Sequence, residues 1–317
     1  MTSRASSNET VKKYRLITRS DFDGLVCAVL LRHIELIDDI TFVHPKDMQD
    51  GKIAVSKNDI STNLPFVNGI HLAFDHHLSE AVRNKQDASH IIDPAAPSAA
   101  RVVWKYYGGL DVFPESWQEI MDACDRGDSA QFNKAQVLEP EGWDLLNFLM
   151  DARTGLGRFR EFRISNYNLM MDLIDYCRNH TIDEIIKLPD VVERIDLYNE
   201  QNELFQKQLL KCSSVHKNLV VLDLREQEVI HAGNRFVIYA LFPQCNISIH
   251  VMWGVQKQNT VFATGKSIFD RASKTNVGEL MLKYGGGGHQ AAGTCQVGHS
   301  LAAGILDELI EEINNDG

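Results

Sequence analysis

Leu72-Ala73-Phe74-Asp75-His76-His77 is an apolar run that stops on a carboxylate and two imidazoles. Such groups cost free energy to desolvate unless something binds them. At the end of a buried strand, three of them can converge just beyond the edge of a sheet. Imidazole nitrogen and carboxylate oxygen together suit a divalent transition metal. A pair of exposed loop histidines is the competing reading, and the rest of the chain has to decide between the two.

Upstream, residues 14–18 read as a short strand running into Arg19-Ser20-Asp21-Phe22-Asp23-Gly24. The apolar segment 25–37 follows at helical spacing. Strand, acidic turn and helix open a βαβ unit, and such units build parallel sheets with sites at the carboxyl ends of the strands. Ile40-Thr41-Phe42-Val43 is the next strand, and residues 59–65 lead into strand 70–74, which carries the histidine pair. Pro97-Ser98 starts a helix. Residues 120–128 form another, ending in Cys124-Asp125-Arg126-Gly127-Asp128-Ser129, and the pattern is again helical from Gly142 to about His180. Pro189 opens a stretch to about Lys211 that is too regular for a flexible linker. Beyond Lys217 the texture changes: strands are expected at 219–224, 236–242, 247–253 and 260–264, with helices at 278–283 and 301–313.

The fold class expected is therefore α/β. An N-terminal, mostly parallel sheet flanked by helices (14–188) follows a disordered tail (1–13). A helical connector (189–216) then leads to a smaller C-terminal α/β domain (217–317). A length of 317 residues suits two domains, and 44% hydrophobic with 24% charged residues is ordinary for cores of that size. The net charge of −11 argues against coating long duplex nucleic acid, which depends on neutralising phosphates with Lys and Arg. Six scattered cysteines without a CxxC pair read as reduced core residues. The start of the chain lacks a secretory signal and no apolar run is long enough to span a bilayer, so a cytoplasmic location is expected.

Asp21 and Asp23 are either an acidic helix cap or part of a metal site, with Gly24 allowing close entry into the helix. Asp125 and Asp128 are either solvated helix-end carboxylates or groups facing a cleft. Taken jointly, three acidic stretches after sheet elements suggest an oxygen-and-imidazole site with room for one or two divalent metals, which hydrolyse phosphate esters by activating water and neutralising phosphoryl charge. Gly285-Gly286-Gly287-Gly288-His289 is either a flexible hinge or an open backbone that lets a phosphate approach, with Ser267 and Arg271 as further anion donors. Arg153 to Arg163 carries four arginines and two phenylalanines, either a helix with a basic face or a contact for phosphates and bases.

The order DxDG, DHH, an acidic DSA and GGGGH resembles the DHH phosphoesterase superfamily, from Tyr14 to Val297, and within it proteins called exopolyphosphatase-related and phosphatases of very short RNAs. The resemblance implies that Asp21, Asp23, His76 and Asp128 (or Asp125 in its place) are metal ligands, with Asp75 orienting the pair and His77 facing the scissile phosphate. It implies Mn²⁺ or Mg²⁺, one or two ions, and a C-terminal domain that closes over the cleft with Gly286, Gly287, Gly288 and His289 holding substrate, Ser267 and Arg271 nearby. Two positions depart from the pattern. Arg19 stands where many members carry a histidine, and Asn63 where a bridging aspartate is expected; both join the substrate-binding candidates. Either the register differs, or one metal is kept, or substrate is bound without two-metal hydrolysis.

Two functions follow. The first is a phosphoesterase acting on short oligonucleotides, nucleotide phosphates or polyphosphate. The second is a nucleotide- or nucleic-acid-binding regulator with little or no hydrolysis. Neither involves a membrane, and a homodimer is the assembly allowed for.

Overall fold

The structure, a computed structural model, describes residues 12–84 and 88–317. The disordered tail expected at 1–13 lies outside the described residues except for Lys12 and Lys13. The chain divides into two compact units. One takes in Met1–Gln131, Gly142–Ala152 and Arg160–Val192, and the other Phe132–Glu141, Arg153–Phe159 and Glu193–Gly317.

The first unit is built on β1 (Tyr14–Arg19), β2 (Ile37–Val43), β3 (Asp59–Thr62), β4 (Leu72–Asp75) and β5 (His90–Ile92). All pair in parallel, in the order β2-β1-β3-β4-β5. Leu16 and Ile17 in β1 are fully buried, as a parallel sheet covered on both faces requires. The helix Phe22–His33 is buried nearly throughout, because the helices Ala99–Tyr106, Gln118–Asp128 and Asn166–Asn179 pack around it. Strand β3 was not legible as a strand. It is short and polar, and its Asp59 is buried only because Arg15 Nε donates to it at 2.8 Å, with further bonds from Ser56. The pairings Thr18↔Thr62 and Thr62↔Phe74 bring the carboxyl ends of β1, β3 and β4 level.

The second unit holds β6 (Ser213–His216), β7 (Leu219–Asp223), β8 (Ile247–Trp253), β9 (Thr260–Lys266), β10 (Gly287–His289) and β11 (Ala292–Val297), in the order β10-β11-β9-β8-β7-β6. β7 and β8 pair parallel and the other neighbours antiparallel. Val221, Ile249, Val251 and Phe262 meet Met281 from the helix Val277–Leu282 and Leu309 and Ile313 from the helix His299–Asp316.

Two expectations are corrected. Residues 236–242 are not a strand but contain the helix Val237–Leu241; Asn234 accepts the Phe236 amide N–H and turns the chain into it. A short apolar run buried on all sides has no period to tell the two apart. The helical stretch expected from 142 to 180 is interrupted between the helices Gly142–Met150 and Asn166–Asn179. There the arginine-rich run forms only short 3-10 turns, Ala152–Thr154 and Leu156–Arg158, separated by Gly155 at φ +86°. No helix of the described residues is long and apolar enough to cross a membrane.

Candidate metal centre

The level strand ends of the first unit collect the acidic motifs on one edge. Asp21 caps the helix that follows β1, and Asp23 lies in its first turn. A side chain on Gly24 would meet the Arg19 carbonyl oxygen at 2.0 Å, so glycine is what lets the helix start so close to the strand. His76 and His77 follow directly on β4, and Asp128 closes the helix Gln118–Asp128.

One ligand atom from each of Asp23, His76 and Asp128 lies within 4.8 Å of the others. Asp23 is 3% exposed. Its carboxylate accepts the amide N–H groups of Ala99 (2.9 Å) and Ala100 (2.7 Å), at the amino end of the helix Ala99–Tyr106. Even so, burial, together with the nearby charges of Asp128 and Asp21, pushes its pKa up to about 7. The carboxyl group thus still lacks a full positive partner.

His76 Nδ1 lies 3.2 Å from the Ala96 carbonyl oxygen, which fixes the proton on Nδ1 and turns Nε2 inward. Nε2 comes within 2.8 Å of Asp128 Oδ2, but it is buried and misaligned for a hydrogen bond. Burial alone would lower the pKa of this imidazole; the facing carboxylate of Asp128 and that of Asp23 overcome it and raise it to about 9. For Asp128, burial is likewise overridden, and its pKa falls because of His76.

Asp75 is 1% exposed and works beside this cluster. Its Oδ1 accepts the amide N–H groups of His76 (2.8 Å) and His77 (3.3 Å) and lies 2.7 Å from His77 Nδ1. The last contact raises the pKa of His77 and leaves its Nε2 directed away from Asp75. Asp75 Oδ2 has no hydrogen-bond partner.

A divalent ion fits this donor set. Two carboxylates and one inward imidazole nitrogen converge, the nitrogen makes no aligned hydrogen bond, and its other ring nitrogen is anchored on a carbonyl, the usual support of a metal-ligating histidine. Asp23, His76 and Asp128 are the residues that would hold it.

Two other candidates are turned elsewhere. Asp125 accepts from Arg101 Nε at 2.7 Å and Ser98 Oγ at 2.6 Å, so its carboxylate is occupied by a guanidinium and a hydroxyl. Asp21 is held by Arg19 and Asn63. What sequence reasoning missed is the segment 96–100: the Ala96 carbonyl and the amides of Ala99 and Ala100 are backbone groups, invisible as residue types. Pro97-Ser98, the start signal of that helix, was the one pointer to them.

In the second unit the glycine run is not a free hinge, since Gly287–His289 pairs with β11. A side chain at Gly286 would meet Thr294 O at 2.0 Å, and one at Gly288 would meet Ala292 O at 2.3 Å, so these two are glycines for packing. At Gly287 nothing lies within 4 Å. This glycine, with Gly288, His289, Gln290, Asn276 and Glu279, borders a groove of about 360 Å³. His289 is exposed and its Nδ1 accepts the Ala291 amide N–H. Ser267 is 4% exposed, and its hydroxyl is taken by the amides of Phe269 and Asp270, whereas Arg271 is exposed.

No family model matches the chain, and no curated protein matches it. Among solved structures it is similar to a pGpG-specific phosphodiesterase, PggH, from Vibrio cholerae, with 65% sequence identity and a TM-score of 0.89 over 96% of this chain and 100% of that one. It also resembles, at 13% identity and a TM-score of 0.54, the exonuclease RecJ bound to manganese, over 96% of this chain and 90% of that one. That second likeness is one of fold. With the first spanning nearly every residue, this chain belongs to the DHH phosphoesterase superfamily and is a hydrolytic enzyme.

Proposed function

We propose that this protein is a metal-dependent phosphodiesterase that cleaves the internucleotide bond of pGpG or a closely similar 5′-phosphorylated dinucleotide. The observation that carries the reading is the 65% identity with the pGpG-specific enzyme along 96% of the chain. Water adds to the bridging phosphorus, the bond to one ribose oxygen breaks, that oxygen takes up a proton, and two mononucleotides leave.

Asp23, His76 and Asp128 would hold Mn²⁺ or Mg²⁺, which when bound supplies acidified water and charge neutralisation at the phosphoryl oxygens. His77 is the proton donor of the reading. Its contact with Asp75 raises its pKa, which favours the charged form, and its exposed edge faces away from that carboxylate. A charged imidazole there can donate to a non-bridging oxygen or to the departing ribose oxygen. Gly287 and His289 are assigned to substrate: the open face of Gly287 admits a phosphate or sugar close to the backbone, and the groove of about 360 Å³ beside it is of a size for one mononucleotide. The net charge of −11 supports a short substrate rather than a long duplex. Six free cysteines suit the reducing cytoplasm.

Purified protein incubated with Mn²⁺ and, separately, pGpG, longer oligoribonucleotides and polyphosphate should consume the dinucleotide fastest, with GMP appearing on anion-exchange chromatography. Tight binding of pGpG without conversion would overturn the reading in favour of a nucleotide-binding regulator.

A further inference from the structure

Asp21 and Asp23 belong to one turn, yet only Asp23 is in the group of ligand atoms that converge with His76 and Asp128. Asp21 is held from three sides. The Gly24 amide donates to its Oδ1 at 3.0 Å, Arg19 Nε lies 2.9 Å from its Oδ2, and Asn63 Nδ2 lies 3.3 and 3.4 Å from its two oxygens. Asn63 is built for this. It is 1% exposed, its own backbone amide donates to the Phe74 carbonyl at 3.1 Å, and its backbone sits at φ +54°, in the left-handed region that asparagine tolerates better than most non-glycine residues.

Arg19 presents one edge to Asp21 through Nε. Its side chain remains 31% exposed, and the carboxylate it grips caps the helix whose first turn carries Asp23. A guanidinium keeps its charge at working pH and offers forked N–H groups that match a phosphate. A second dication placed within about 4 Å of such a group would be strongly repelled.

We infer that the centre takes a single divalent ion between Asp23, His76 and Asp128, and that Arg19, held by Asp21 (itself held by Asn63), is the second positive charge, its terminal nitrogens binding a non-bridging phosphate oxygen. The identity of the phosphate rests on the phosphodiesterase reading; the ion count does not.

The test is a metal count by inductively coupled plasma mass spectrometry on Mn²⁺-loaded, dialysed protein, with calorimetric titration of inorganic phosphate into the loaded protein. Wild type and Asp21→Asn should each retain one ion per chain, and Asp23→Asn should lose it. Arg19→Ala should keep its ion while phosphate affinity falls about tenfold or more, the loss expected for a charge-assisted contact; Arg19→Lys should recover part of it. Circular-dichroism melting checks that each variant is folded. Two ions per wild-type chain, loss of the ion in folded Asp21→Asn, or unchanged phosphate affinity in Arg19→Ala would overturn the inference. Failure to cleave pGpG would leave the ion count standing.

Discussion

Four carboxylates of the first unit look alike in sequence, and the structure sorts them into two pairs. Asp21 and Asp125 each have an arginine in reach, Arg19 Nε at 2.9 Å and Arg101 Nε at 2.7 Å. Asp23 and Asp128 have an imidazole and, for Asp23, two peptide N–H groups, and they share ligand distance with His76. Position along the chain does not separate the pairs, since each set contributes one residue to Asp21-Phe22-Asp23 and one to the helix end 125–128. What separates them is whether the fold itself supplies a permanent cation. Where it does, the carboxylate is already paired. Where it does not, the acid is left to an imidazole or to peptide N–H groups, and the buried Asp23 keeps a raised pKa until a cation arrives.

The contrast can be broken most readily by removing ligands. His76→Ala or Asp23→Asn should reduce kcat/KM for pGpG by at least about a thousandfold, since the charge neutralisation and water activation tied to the ion go with it. Retention of wild-type turnover in either variant, measured by chromatography with Mn²⁺ present, would place the ion elsewhere.

A smaller effect concerns pH. The metal-free His76 imidazole has its pKa raised to about 9 and the Asp23 carboxyl to about 7. Binding needs both groups without their protons. Metal affinity should therefore rise with pH, by about tenfold per unit between 7 and 9 as His76 gives up its proton, and more steeply below 7 where Asp23 must do so too. The effect should level off above 9. Calorimetric titration of Mn²⁺ across this range reads the slope; an affinity flat from pH 6 to 9 would count against these ligands.

The same distinction, between groups satisfied by the fold and groups left over, applies to the glycines. Gly286→Ala drives a methyl into the Thr294 carbonyl and should cost about 1–3 kcal/mol, seen as a lower Tm. Gly287→Ala should leave the Tm nearly unchanged while weakening dinucleotide binding. Equal Tm losses in both would assign Gly287 to packing. At Asp125→Asn about 1–2 kcal/mol of stability should be lost with the Arg101 contact, with no change in metal content.

Much of this was legible in the sequence. The acidic turn between β1 and its helix, the Asp75-His76-His77 terminus of β4 and the long helix Pro189–Cys212 carry strong local signals of period and capping. Strand β3 and the helix Val237–Leu241 were not legible. One is polar and its Asp59 is held by Arg15 and Ser56, and the other is short and almost wholly buried. At the centre, residue types nominated Asp21, Asp23, Asp125 and Asp128 equally. Choosing among them depends on where the Arg19 and Arg101 side chains reach, which is set by tertiary packing. The Ala96 carbonyl and the Ala99 and Ala100 amides that position His76 and Asp23 carry no residue signature at all.

The most direct test of a metal-dependent phosphodiesterase centred on His76 is the rate of pGpG cleavage by wild-type protein and His76→Ala, side by side, with Mn²⁺ and after its removal by EDTA. The wild type should form GMP with Mn²⁺ present, and neither the variant nor the chelated wild type should do so. Undiminished cleavage in EDTA, or by His76→Ala, would contradict that assignment.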